Sequence, residues 1–177
     1  MNTRPLSSIA MLLMVMAVIH GCSQPNTYFG DGRLIDYGPT APDHRYVIEI
    51  GPIDLSQTGT RTFNMTGLPR TYFVMGLQIP LRAADRISGN VTTPANVSLD
   101  LVRRPGDMVA MVTTPLRDWT WSNPKGEDKA FAYLRQSPRA YFDAFTEHHY
   151  ELTVTVNVPD PSIPAGTLVE LKSAGWK

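Results

Sequence analysis

The sequence predicts an all-β chain: two antiparallel sheets packed face to face as a sandwich, with one short helical insertion near residues 137–146. Three observations carry that expectation. Residues 150–158 alternate strictly, with Tyr150, Leu152, Val154, Val156 and Val158 on one side and Glu151, Thr153, Thr155 and Asn157 on the other. A period of two in a run rich in Val and Thr is that of a half-buried strand. The chain before and after it breaks into short β-prone runs at Arg45–Ile50, Arg61–Thr66, Tyr72–Ile79, Val97–Arg103, Met108–Thr113 and Thr167–Ser173. Glycine and proline divide these runs, at Gly51-Pro52, Gly67-Leu68-Pro69, Ser88-Gly89-Asn90 and Arg104-Pro105-Gly106. Many short strands with frequent turns make a sandwich or a barrel.

In chain order, residues 1–21 read as an export signal, 22–44 as a membrane tether and 45–177 as a single domain. Residues 23–45 are rich in Gly, Pro, Asn and Asp and have no sustained period. They read as a tether, or, through Leu34, Ile35 and Tyr37, as a first edge strand; both readings stand on sequence alone. Pro159 and Pro161 end the strand at 150–158, because proline cannot donate to a central ladder. Ala165-Gly166 then turns the chain into a last strand over 167–173. Between Lys125 and Glu147, Ser137 can cap a short helix with Pro138 at its first position. Tyr141, Phe142 and Phe145 would then lie on one side of it. The whole layout looks like immunoglobulin-like or related Greek-key sandwiches, a pattern shared by many unrelated domains that speaks to fold class and not to function.

The amino-terminal segment has its own logic. One cation, Arg4, precedes an apolar run from Ile9 to Ile19. That run is too short to span a bilayer core, which takes roughly 20 residues of helix, but it suits the apolar region of a secretory signal. Ile19-His20-Gly21-Cys22 follows and resembles the lipobox of bacterial lipoproteins, in which small residues precede an acceptor cysteine. The resemblance implies cleavage after Gly21, lipidation of Cys22 and attachment to a membrane. Ser23, in place of the Asp that retains such proteins at the inner membrane, implies sorting to the outer membrane, with the domain facing the periplasm. Cys22 is the chain's one cysteine, so no internal disulfide competes for it.

The mature chain of about 156 residues is long enough to bury a core without disulfides or metals. With 16 Lys+Arg against 16 Asp+Glu, the formal net charge is zero. That balance argues against nucleic acid as a partner. Catalytic motifs are missing: there is no G-x-S-x-G turn, no helical H-E-x-x-H and no EF-hand loop. His148 and His149 are adjacent, so on a strand they face opposite sides and cannot share one metal. We therefore expect no enzyme, no cofactor and no metal.

The most suggestive group is aromatic. Trp119-Thr120-Trp121 puts two indoles on one side of an extended segment, and Trp176 lies near the carboxyl terminus. With Arg117 and Asp118 beside them, Trp119 and Trp121 form a candidate binding patch, since exposed indoles stack on sugars and anchor protein partners. The competing reading is that they plug one end of the core. The expected function is an envelope lipoprotein with a non-enzymatic binding or scaffolding domain and an envelope protein as partner. An inhibitor or immunity protein acting through the loop Asn123–Asp128, and a module for glycan or peptidoglycan, are the alternatives.

Overall fold

The computed structural model describes residues 27–40, 43–122 and 126–173, and they form two antiparallel sheets packed as a sandwich. Numbered along the chain, the first sheet holds β1 (Phe29–Gly30), β4 (Gly59–Thr66), β11 (His149–Val158), β6 (Asn96–Arg103) and β7 (Asp107–Pro115), in that spatial order. The second holds β2 (Arg33–Thr40), β3 (Asp43–Ile53), β12 (Thr167–Ser173), β5 (Tyr72–Pro80), β9 (Lys129–Tyr133) and β8 (Thr120–Trp121). A short β10 (Tyr141–Asp143) also pairs with β5.

The strand at 149–158 shows why these residues fold this way. It lies at the centre of the first sheet, between β4 and β6. Tyr150, Leu152, Val154 and Val156 are buried against the second sheet, while Thr153 and Thr155 face outward and meet Thr62 and Thr60 across the ladder. Each inward aliphatic side chain contributes about 1.5–3 kcal/mol by burial. Val158 departs from the expected alternation. The register shifts between Val156 and Val158 and leaves Val158 44% exposed. A bulge of this kind breaks the side-chain period locally.

Three sequence expectations need correction. Residues 137–146 hold no helix beyond a single 3₁₀ turn, Pro138–Ala140. Proline does take its first position, but Ser137 makes no side-chain cap. Tyr141 to Asp143 instead extend along β5, and the aromatic residues pair across that ladder, Tyr141 stacking on Tyr72 and Phe142 on Phe73. Cross-strand aromatic pairing outweighs a helix too short to bury its own face. The sandwich also begins before residue 45: Leu34 and Ile35 belong to β2, which pairs with β3, so the strand reading of that segment is the one observed. Finally, a six-residue helix α1 (Ala83–Ser88) closes on Gly89, whose φ of 72° is the left-handed geometry glycine supplies at a helix end. From sequence, Ser88-Gly89-Asn90 marks only a turn.

The two poles of the sandwich differ. Phe29 pairs with Thr66, and Gly67, at φ 70°, packs against the Thr27 backbone so tightly that a Cβ would lie 1.9 Å from its carbonyl oxygen. The described chain therefore begins at the pole where β4 ends. Gly59, at the other end of β4, lies about 24 Å away at roughly 3.4 Å per residue.

Candidate functional site: a cavity at the far pole

The residues singled out in the sequence do not come together as one surface. Cys22 and the signal segment lie outside the described residues, as do Trp176 and the first three residues of the loop at 123–128. Trp119 is only 4% exposed and belongs to the core, where the chain crosses from β7 in one sheet to β8 in the other. Its Nε1 donates to Thr114 Oγ1 at 2.9 Å, so the indole is satisfied internally. Trp121 is half-buried against the same core and donates to the Leu116 carbonyl at 3.2 Å. Arg117 and Asp118 remain exposed beside it, 3.8 Å apart. The four-residue patch thus reduces to one indole edge and two solvated charges. A buried indole with its N–H engaged has no face for a sugar ring.

Burial instead points to the far pole. A cavity of about 420 Å³ opens there between the two sheets. One wall comes from β4 and β11, the other from β3 and β12, and the loops at 54–58 and 164–166 form the rim. The volume lies within the usual 300–1,000 Å³ of small-molecule sites.

Its origin can be read from β4. Inward positions on this strand are Gly59, Arg61, Phe63 and Met65, the last two buried in the core. Gly59 has no side chain, and a Cβ built there would meet nothing within 4 Å. Gly59 and Arg61 are exposed, so this end of the strand leaves the cavity open to solvent. Arg61 follows, with its guanidinium 5.2 Å above the Phe63 ring. Its Nη1 donates to the Pro52 carbonyl at 2.7 Å, so the cation bridges from one wall to the other.

Opposite stands Thr167, the first residue of β12 and 1% exposed. It shares its face with buried Val169 and Leu171, and it pairs with Ile53 in the ladder. Its hydroxyl is shut off from solvent and has no hydrogen-bond partner among the described residues. An unmet hydroxyl in the interior costs about 1–3 kcal/mol; this one has under 1 Å² of accessible surface and is closed off from the cavity by its own strand. Val154, Val156, Ile53 and Leu55 supply the apolar lining.

The rim is held by polar networks. Asp54 accepts from the backbone and hydroxyl of Ser56, at 2.9 and 2.6 Å, and from Gln57. Those bonds hold its carboxyl below the usual range, the Ser56 hydroxyl contributing most. Asp160 is buried; its N–H donates to the Leu55 carbonyl, and its carboxylate accepts from Thr93 and Ser162. Burial pushes its pKa up, but the Ser162 and Thr93 hydroxyls and the nearby Arg82 hold it below the ordinary value. Arg82 joins the same network, bonded twice to Asp85 and once to Ser162. The Asp160 network thereby ties the two loops flanking the cavity to each other and to the segment at Arg82–Thr93.

No protein-family model matches the chain, and no curated protein matches it. The cavity must be judged on its own chemistry. Among the described residues no group of three or more His, Cys, Asp or Glu could hold a metal ion, and no helix is long and apolar enough to cross a membrane. His148 and His149 part as expected: His148 meets the edge of Phe145, while His149 Nδ1 lies 2.8 Å from Thr66 Oγ1.

None of the cavity's polar residues was singled out in the sequence, yet a signal was present. Once Phe63 and Met65 fix the inward parity of β4, Arg61 and Gly59 fall on the core side. Once Val169 and Leu171 fix β12, so does Thr167. A cation, a glycine and a hydroxyl at inward positions near strand ends mark a place where the core is not closed.

Proposed function

We propose that the chain is a lipid-anchored, non-enzymatic binding protein of the outer membrane, facing the periplasm and binding through the pole farthest from its anchor. The observation that carries this reading is the opposition of the two poles: the described chain starts at one, beside Thr66 and Gly67, and the cavity opens at the other. From Cys22 to Thr27 the chain can span at most about 18 Å. A lipid on Cys22 would therefore hold the first pole close to the headgroups and leave the cavity facing away from them. Two or three acyl chains make such an anchor lasting, since one alone holds only marginally at about 0.8 kcal/mol per buried CH₂.

The cavity's character supports binding over catalysis. The carboxylates near it, Asp54 and Asp160, are engaged by loop hydroxyls and amides. The burial of Trp119 weighs against a glycan platform. The loop at 123–128, on which an inhibitor reading rests, is only partly described, and Asp128 is bound to Arg86 of α1.

Acylation is tested by mass spectrometry of the amino-terminal peptide and by fractionation of Cys22→Ser. The mature peptide should begin at a modified Cys22, and the variant should leave the membrane fraction. Unchanged partitioning of the variant would show that the anchor lies elsewhere.

A further inference from the structure

The pole opposite the cavity has a surface chemistry of its own. Six large apolar or aromatic side chains are exposed among the described residues, and four of them, Phe29, Tyr37, Tyr72 and Met108, lie at this end. Their strands place them there. Phe29 pairs with Thr66 at the end of β4, and Tyr72 opens β5 opposite Asp143. Met108 is the second residue of β7, and Tyr37 lies one residue beyond the Asp36–Tyr46 pair. The four come from four strands and both sheets, so they mark the rim of the pole and not one side of it. Tyrosine shows the same bias. Of the chain's seven, Tyr28, Tyr37, Tyr46, Tyr72, Tyr141 and Tyr150 lie in the rows nearest this pole. The last, Tyr133, stands at the end of β9 nearer to it. Arg70, in the loop between β4 and β5, holds its guanidinium 5.5 Å from the centre of the Phe145 ring and makes no ion pair among the described residues.

We propose that this pole is a membrane-seating face, whose rim side chains Phe29, Tyr37, Tyr72 and Met108 enter the interfacial layer of a phospholipid bilayer while Arg70 meets lipid phosphate. Single apolar side chains scattered over a surface need no explanation, whereas a rim of them at one end does. A ring with a polar tip suits the boundary between headgroup and acyl chain, where tyrosine is enriched. A guanidinium matches phosphate oxygens through two parallel hydrogen bonds. The chain itself selects the occupant. The described residues begin at this pole with Thr27, packed against Gly67, and the span back to Cys22 is at most about 18 Å. A bilayer that holds an acylated Cys22 therefore lies within reach of the rim. The inference rests on the proposed acylation and adds a second contact with the same membrane, made by the folded domain.

The test uses the acylated chain on vesicles of phosphatidylethanolamine and phosphatidylglycerol. An environment-sensitive fluorophore is attached through Phe29→Cys, Tyr37→Cys or Met108→Cys on the rim, and through Thr58→Cys or Ile87→Cys at the far pole. All five positions are exposed, so the label leaves the core intact. Flotation of the vesicles reports the anchor, and quenching by lipids carrying a nitroxide near the headgroup reports the seat. All five labelled chains should float. Quenching at 29, 37 and 108 should exceed that at 58 and 87 at least threefold. Phe29→Ser combined with Met108→Ser should leave flotation unchanged and at least halve the quenching at position 37.

Flotation with equally weak quenching at all five positions would overturn the seat while leaving the anchor in place. Quenching at 29 without quenching at 37 and 108 would do the same, because the domain would then hang from its amino-terminal end alone. Loss of flotation would overturn the anchor and the seat with it. Should the paired serine variant not fold, the five labelled chains decide on their own.

Discussion

At the scale of single residues, two buried carboxylates respond to pH in opposite directions. Asp160 keeps its charge in the interior because Thr93, Ser162 and Arg82 surround it. Its folded pKa is depressed, so its stabilisation is present above the unfolded value and is lost as pH falls through the folded one. Glu170 has few partners: desolvation raises its pKa, and Lys172, 3.4 Å away and resting on the Phe131 ring, offsets this only in part. A raised pKa gives stability that is present in acid and fades as pH rises above the unfolded carboxylate range. Asp160→Ala should therefore cost about 3 kcal/mol at neutral pH, from lost charged hydrogen bonds and a stranded Thr93 hydroxyl. Chemical denaturation across pH measures this, and the deficit should shrink in acid. A loss that does not change with pH would mean that Asp160 acts through packing alone.

Elements explain what sequence could and could not convey. The runs around β3, β4, β5, β6, β7, β11 and β12 were legible because β-prone residues lie between proline and glycine breaks, and in β11 because the period of two is strict. Their observed bounds differ from the expected ones by a few residues. The segment 137–146 misled because Tyr141, Phe142 and Phe145 suit either period, and only the partner strand β5 decides between them. Trp119 shows the same limit. Its neighbours Arg117 and Asp118 suggest a surface, whereas the crossing between sheets turns the indole inward. The cavity was hidden for a different reason: it is a joint property of four strands from two sheets, and no single segment encodes it. Val154→Asp checks the orientation of β11 directly. It would place an unpaired charge in the core, so the chain should fail to fold. A soluble variant with the parent's melting temperature would mean that Val154 does not face the second sheet.

The whole molecule is polar along the sandwich. The amino-terminal pole carries exposed Phe29 and the first described residues, with Phe29 71% exposed. The far pole carries the cavity, with the Asp54 and Asp160 hydrogen-bond networks in its flanking loops. If Cys22 is acylated as proposed, the short span to Thr27 turns this polarity into an orientation relative to the membrane, with the far pole directed away from it. The measurement that tests this most directly is in-cell photocrosslinking, with a photoreactive residue at Phe29 in one strain and at Thr58, on the cavity rim, in another. Lipid adducts at position 29 and none at position 58 are the predicted result. Lipid adducts at position 58 would contradict this orientation, because the cavity would then face the membrane.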